Sequence, residues 1–155
     1  MQIKDFMRTH VHTIYQTATL RQAIETFSQH LVGILPVLDD EDKLCGVLRI
    51  EDTLKQFMPK FVEMIQEADF IHDYGLLERG LRSVNVDDIA VIELMQRRFY
   101  VNENDGLMSC IVIMYKKKVN DVPVVNDDKK VVGIVSYART GSIFLKEWLA
   151  QENVE

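Results

Sequence analysis

The sequence predicts a mixed α/β fold in which one unit of about sixty residues occurs twice. The stretches that carry the repeat are residues 33–37 with 44–52, and residues 120–124 with 131–139. Laid over each other 87 positions apart, they match without a gap, so that Pro36 falls on Pro123 and Gly46 on Gly133. A repeat of this length indicates one supersecondary unit used twice, with the two copies burying apolar faces against each other.

The repeat continues upstream of these stretches at the same offset. The matched apolar pairs are Ile14 and Val101, Leu20 and Leu107, Ala23 and Cys110, Ile24 and Ile111, and Phe27 and Met114. All but the first of these pairs follow the spacing of one helix face. Each copy is therefore predicted to have an inward-packing helix before its strand hairpin.

The composition is that of an ordinary globular protein. Of 155 residues, 47% are hydrophobic and 27% are charged, which suits one compact domain or two small units with a shared core. A net charge of −6 disfavours a nucleic-acid or anionic-membrane surface. The short basic run at residues 116–118 is interpreted as the solvated end of a helix.

The sequence predicts a soluble, cytoplasmic protein with no membrane insertion. Residues 1–5 lack the apolar core of a signal peptide, and no apolar run approaches the roughly eighteen residues that span a bilayer. Cys45 and Cys110 lie in apolar runs, which fits buried reduced thiols better than a disulfide.

In the first copy, Thr19 is a candidate N-cap for a helix that Gly33 is expected to end. The predicted strands are residues 34–38 and 44–48, on either side of an acidic turn. Pro36 is expected to restrict the first strand to an edge or irregular position. A helix is predicted to follow from about residue 51 and to carry Phe57.

In the second copy, Asp87 or Asp88 is a candidate cap for a helix over residues 89–95. The elements predicted after it are an extended piece at 99–101, a helix at 105–116, strands at 119–125 and 131–135, and a closing helix at 140–149. The last residues are expected to fray.

Between the copies, residues 59–86 are too apolar for a flexible tether and predict a short helical insert. Two interpretations stay open: packing over the joint between the copies, or an interface for a second subunit or partner. The predicted units are residues 1–58 for the first repeat, 59–86 for the insert and 87–150 for the second repeat. The two repeats are expected to form one compact module.

No pattern of catalytic residues is found. His10 and His12 lie two apart, as a metal pair on a strand would, but no third ligand is nearby, so a solvent-facing pair is expected. Burial would raise the pKa of the Cys45 thiol, which disfavours a nucleophile. No Gly-rich phosphate loop, nucleophile elbow, zinc spacing or kinase signature occurs. We therefore expect no enzyme, no catalytic residue, no catalytic cofactor and no metal site.

A Pro-Val strand, a polar turn and then Gly-apolar-apolar before a helix start, twice in one chain, resembles the tandem cystathionine-β-synthase (CBS) domain pair. The resemblance covers about residues 1–57 and 87–149. It implies two repeats related by pseudo-twofold symmetry, with their sheets packed together, flanking helices and two clefts between them. It also implies adenosine derivatives as ligands, bound through the family pattern Gly-apolar-apolar-Thr/Ser-x-x-Asp.

In the first copy, Asp52 matches the acid that binds the ribose in this family, whereas Arg49 stands where Thr or Ser is usual. A carboxylate accepts hydrogen bonds from both hydroxyls of a cis-diol, and an Arg binds phosphate bidentately. The resemblance therefore implies a nucleotide site at Asp52 and Arg49. The further residues implied for this cleft are Thr13, Ile14, Ile34, Leu35 and Pro36. The alternative for Asp52 is a plain helix cap or surface carboxylate.

In the second copy, Ser136 keeps the family hydroxyl, but Arg139 stands where the acid belongs and has no acceptor for a ribose hydroxyl. The other residues implied for this second cleft are Val101, Val122 and Pro123. The cleft is expected to be empty or to take a differently oriented anion. The alternative for Arg139 is a surface or interdomain ion pair.

The leading hypothesis is a non-catalytic regulatory module that senses AMP, ADP or ATP and acts on a protein partner in trans. S-adenosylmethionine ranks behind these ligands, and the resemblance also implies a homodimer. The alternative is a ligand-free dimeric scaffold that uses the apolar insert to dock a partner.

Overall fold

The computed structural model describes residues 1–58 and 80–152. In the first copy a short 3-10 helix (Ile3–Asp5) is followed by β1 (Ile14–Tyr15), α1 (Leu20–His30), β2 (Ile34–Leu38), β3 (Leu44–Arg49) and α2 (Ile50–Leu54). The second copy contains α3 (Val91–Leu94), β4 (Gln96–Arg97), β5 (Val101–Asn102), α4 (Leu107–Lys117), β6 (Asp121–Val125), β7 (Val131–Ser136) and α5 (Tyr137–Glu152). Most of the predicted insert, residues 59–79, lies outside this description, as does the tail at 153–155.

The two copies have equivalent sheets, which confirms the repeat. The strand orders are β1-β2-β3-β4 and β5-β6-β7, with an antiparallel hairpin in each copy and a parallel first strand beside it. Ile14 pairs with Val37 in the first copy, and Val101 pairs with Val124 at the corresponding register in the second.

Each copy also adds a segment to the sheet of the other. Strand β4 of the second copy pairs antiparallel with β3 of the first, opposing Gln96 to Val47. Reciprocally, Arg8 exchanges two backbone hydrogen bonds of 2.9 Å with Ile134 on β7. The two copies are therefore joined by backbone pairing as well as by side-chain packing.

The main core is shared by both copies. Its buried residues are Ile3, Phe6, Ile34, Val47, Phe99, Val101, Leu107, Cys110, Met114, Val119, Val122, Val124, Ile134 and Val135. A second cluster packs α1 against the first sheet through Ala23, Phe27 and Leu35. This arrangement confirms the predicted α/β fold, with two sheets and flanking helices.

Two helix ends follow the sequence prediction and one does not. Thr19 caps α1, since its hydroxyl oxygen accepts from the backbone N–H of Gln22 at 3.3 Å, and the basic run forms the last turn of α4. The prediction that Gly33 ends α1 is wrong. Leu31 ends it in the left-handed conformation at φ 53°, with its N–H bonded to the Phe27 carbonyl.

The predicted cap of α3 is also wrong. Asp87 is instead bonded to Arg21, with 2.6 Å between Arg21 Nε and Asp87 Oδ1, and Asp88 accepts from the Asn85 amide. The helix begins only at Val91 and is four residues long. The Glu93 carboxylate accepts a hydrogen bond from the backbone N–H of Ala90 at 2.7 Å. The N-terminus of α3 is therefore capped by a side chain of the helix itself.

Pro36 does not lie on an edge strand, because β2 runs between β1 and β3. The two residues of β1 pair only with Val37 and Leu38, so Pro36 faces no ladder partner on that side. One residue beyond Pro36, the pairing of β2 with β3 shifts register between Val37 and Leu38, so the strand is irregular near the proline.

Helices α2 and α5 differ from prediction in length. α2 ends at Leu54, and Phe57 beyond it accepts a backbone hydrogen bond from Arg82 at 3.0 Å. α5 begins three residues early because the Tyr137 N–H donates to the Asn120 carbonyl at 2.7 Å as the chain leaves β7. Among the described residues, no helix combines the length and apolarity that crossing a bilayer requires.

Candidate functional site

The junction of β3 and α2 places Arg49 against Asp52. Arg49 Nε donates to Asp52 Oδ2 and Nη2 donates to Oδ1, each at 3.1 Å. The backbone N–H of Arg49 reaches Oδ2 as well, at 3.3 Å. Because the side chains are only 20% and 12% exposed, this is a partly buried, bidentate ion pair. The hydrogen bond that the guanidinium donates to Asp52 raises the pKa of Arg49.

Gln96 reaches the same pair from β4. In the amide orientation that satisfies both of its ends, its oxygen accepts from Arg49 Nη2 at 2.6 Å and from Nε at 3.1 Å. The guanidinium therefore lies between an acid of its own copy and an amide of the other copy. The sequence analysis did not identify Gln96, because no local motif records that β4 pairs with a strand 49 positions earlier.

The other residues implied for the first cleft divide between the core and the surface. Thr13 is exposed, while Ile14, Ile34, Leu35 and Pro36 are buried in their strands. Ile34 belongs to the shared core and Leu35 to the cluster under α1, since neighbouring strand residues point to opposite faces. The Ile50 N–H donates to the Gly33 carbonyl at 2.9 Å, which joins the start of β2 to the start of α2.

A polar cavity of about 160 Å³ lies between the copies and includes Ile34. Its lining residues are Arg8, His10, His12, His30, Val32, Gly33, Ile34, Asp121 and Ile134. Burial, reinforced by Glu51, raises the pKa of Asp121, and the positive charge of Arg8 opposes that shift. The cavity thus joins the strand predicted to hold the base with the start of β6 in the other copy.

The histidines of this cavity stack on each other. The His12 and His30 rings are parallel at 3.6 Å between centroids, and His10 meets the His12 ring edge-on at 4.8 Å. Burial, then the charges of His30 and His10, lower the pKa of His12. Within residues 1–58 and 80–152, no group of three or more His, Cys, Asp or Glu side chains has the geometry to hold a metal ion.

The second cleft differs from the first. Val101, Val122 and Pro123 are buried, and the Ser136 hydroxyl accepts from the Arg139 N–H at 3.3 Å as a helix cap. The Arg139 side chain is exposed. Of the two motif positions, both within the described residues, the first copy's brings a carboxylate and a guanidinium together and the second copy's does not.

Two further cavities occupy equivalent positions on the helical faces of the copies. The first, of about 720 Å³, is lined by Ile24, Phe27, Ser28, Leu31, Val32, Gly33, Ile50, Thr53, Leu54, Phe57 and Val86. The second, of about 580 Å³, is lined by Met114, Tyr115, Lys116, Lys118, Val119, Asn120 and Tyr137. The first cavity is mostly apolar, whereas the second has lysine and tyrosine side chains in its lining. The sequence carries a signal for this difference, because Leu31 aligns with Lys118 and Ile50 with Tyr137 in the repeat.

The repeat, the exchanged segments and the paired clefts define a tandem CBS module. The CBS domain family matches residues 3–58 and 86–139, so the chain belongs to this family. One curated relative is inosine-5'-monophosphate dehydrogenase of Methanocaldococcus jannaschii, 24% identical over 126 residues that cover 81% of this chain and 20% of that protein. The chain spans 20% to 33% of the length of three such relatives.

Two similar solved structures contain adenosine ligands. The CBS domain pair of protein MJ0100, in complex with 5'-methylthioadenosine and S-adenosyl-L-methionine, has a TM-score of 0.66 and 21% identity, covering 95% of this chain and 98% of that one. Arabidopsis thaliana CBSX2 in complex with AMP has a TM-score of 0.66 and 23% identity, covering 94% and 96%. At these identities the likeness shows the fold.

Proposed function

We propose that this chain is a non-catalytic regulatory module that binds an adenine nucleotide in the cleft containing Arg49 and Asp52. The observation that carries the proposal is their partly buried ion pair at the start of α2. The Asp52 carboxylate lies beside Gln96, where the two copies meet, and a carboxylate is the group needed to accept hydrogen bonds from a ribose cis-diol. A neighbouring guanidinium is suited to the phosphate.

The solved relatives support the ligand class. MJ0100 holds methylthioadenosine and S-adenosylmethionine, and CBSX2 holds AMP, so adenosine is the part that these ligands share. For this chain the positive charge of Arg49 favours AMP, ADP or ATP over the sulfonium of S-adenosylmethionine.

The pairing of the two copies offers a route from the cleft to a partner in trans. Gln96 contacts Arg49 and lies on β4, which is hydrogen-bonded to β3. Moving Arg49 onto a ligand would change this contact between the copies. Ligand occupancy regulates only where two conformations differ in affinity for the ligand, and the Gln96 contact is the element we expect to differ between them.

The test is calorimetric titration of the full chain with AMP, ADP and ATP, comparing wild type with Asp52→Ala. We expect the substitution to weaken binding at least about tenfold, because it removes the diol acceptor. Asp128→Ala is the matched control, since Asp128 is an exposed carboxylate in the turn of the second hairpin. Equal affinity of wild type and Asp52→Ala would refute the site, with thermal unfolding as the check that the variant folds.

A second candidate function, a dimeric scaffold, is favoured by the apolar cavity on the first copy. Its counterpart in the second copy is lined by lysines and tyrosines, so the apolar lining is specific to one face. Leu31 on this face is 89% exposed. Leu31→Lys introduces the residue found at the equivalent position 118, which has the same left-handed backbone. The scaffold hypothesis predicts that Leu31→Lys shifts the mass measured by light scattering toward monomer, while the adenine compounds do not bind.

A further inference from the structure

Both oxygens of the Asp52 carboxylate are engaged in this structure. Oδ1 accepts from Arg49 Nη2, and Oδ2 accepts from Arg49 Nε and from the Arg49 backbone N–H. Arg49 takes three of the roughly four acceptor sites of the carboxylate, whereas a cis-diol donates two hydrogen bonds, so the diol needs at least one of the sites that Arg49 now occupies. A nucleotide must therefore displace the guanidinium before its ribose is held.

Displacing Arg49 leaves a cation without an anionic partner. Its side chain is four-fifths buried, and its hydrogen-bond acceptors among the described residues are the Asp52 carboxylate and the neutral Gln96 oxygen. Glu51, next in the chain to Ile50, acts on Arg49 only as a weaker, longer-range charge. Breaking a buried pair by removing one partner is costly because the other charge stays uncompensated.

The geometry points to Arg49 as the residue that makes this cleft select ligands with an anionic group beside the diol over uncharged nucleosides, an inference that rests on the proposed function. A phosphate accepts the guanidinium bidentately, as the carboxylate does, so Arg49 exchanges one anion for another while Asp52 is released to the ribose. A neutral nucleoside offers no such exchange, and a sulfonium adds a like charge.

The second copy shows what the site would be without this exchange. Ser136 occupies the position equivalent to Arg49, and its hydroxyl caps α5. Arg49→Ser therefore replaces the guanidinium by the residue that the same backbone position carries in the other repeat. In this variant Asp52 has no charged partner to release, since its remaining side-chain neighbour is the neutral Gln96 amide, 3.4 Å from Asp52 Oδ1. The diol of a neutral nucleoside then competes with no guanidinium for the carboxylate.

The experiment is calorimetric titration of the full chain with AMP and with adenosine, for wild type, Arg49→Ser and Arg21→Ser. We expect wild type to bind AMP about tenfold or more tightly than adenosine. In Arg49→Ser the preference for AMP over adenosine should fall to about threefold, and adenosine should bind more tightly than it does to wild type. Arg21→Ser is the matched control. It removes another bidentate pair, that of Arg21 with Asp87, which is exposed. Among the described residues this pair has no hydrogen bond to Arg49, Asp52 or Gln96. The ratio of AMP affinity to adenosine affinity in Arg21→Ser should therefore equal that of wild type.

The outcomes separate this inference from the function on which it rests. An unchanged AMP-to-adenosine ratio in a folded Arg49→Ser variant that still binds both probes overturns the selectivity of Arg49 and leaves the nucleotide site intact. Binding of neither probe to wild type or to Arg49→Ser overturns the proposed function itself. If adenosine binds to Arg49→Ser but not to wild type, the result supports the exchange of Asp52 for a ligand phosphate at Arg49.

A second measurement does not depend on the Ser variant folding. The Arg49 Nε–H resonance of the wild-type chain should move further on addition of AMP than on addition of adenosine at equal, sub-saturating concentration, because only AMP offers the displaced guanidinium an anion in exchange for Asp52. The Arg49→Lys variant identifies this resonance, because the Nε–H signal of Arg49 is missing from its spectrum while the positive charge at position 49 is kept. A resonance that moves equally with both probes contradicts the exchange.

Discussion

A Cβ on Gly46 would lie 2.9 Å from the carbonyl oxygen of Gln96, on β4 of the second copy. It would also collide with the Met95 side chain. Gly133 has the same relationship with the Arg8 carbonyl, again at 2.9 Å, and with Met7. The glycine of the repeat is therefore needed because the backbone of the exchanged segment crosses it closely.

Gly46→Ala and Gly133→Ala should each destabilise the fold by about 1–3 kcal/mol, since the obstacle is backbone that shifts only with the strand pairing. Urea unfolding measures the change. Gly141→Ala is the matched control: it lies in α5, where a Cβ meets nothing within 4 Å, and it should stabilise by up to about 1 kcal/mol through helix propensity. A Gly46→Ala variant as stable as wild type would contradict the close crossing.

The pairing of Arg49 with Asp52 should appear as a coupling energy in the absence of ligand. A double-mutant cycle of Arg49→Ala and Asp52→Ala is expected to give about 1–2 kcal/mol, because both side chains are largely shielded from solvent. The same cycle on Arg21 and Asp87, whose side chains are 54% and 58% exposed, should give a smaller coupling that salt removes. Equal couplings for the two pairs would argue against a shielded site.

The histidine stack should make stability depend on pH. Because the pKa of His12 is lowered in the folded state, the unfolded chain binds its proton more readily. The contribution of His12 to stability is then fully present above its unfolded pKa of 6.5 and is lost as pH falls through the lower folded value. The expected result is a smaller fall in stability below pH 6.5 for His12→Gln than for wild type. An identical pH profile for the two proteins would show that His12 is not perturbed.

Local patterns predicted much of this fold, whereas contacts between the copies were not predictable. Both hairpins and the Thr19 cap depend on residues close in sequence, and the repeat is visible as matched residues 87 positions apart. Leu31 ends α1 without a glycine, and Arg21 takes Asp87 away from its predicted role as a cap, so a tertiary ion pair overrides a local preference.

The same distinction applies to the candidate site. The pairing of Asp52 with Arg49 joins residues three apart, and both were identified from the motif. Gln96, the third member, reaches them through pairing of β4 with a strand of the other copy. A single sequence contains no local signal for that contact.

The most direct test of the nucleotide site is a crystal structure of the full chain grown with AMP. We expect both ribose hydroxyls within hydrogen-bond distance of the Asp52 carboxylate, and the Arg49 guanidinium turned from Asp52 onto the phosphate. AMP bound elsewhere, with the Arg49–Asp52 pair still closed as it is here, would contradict it.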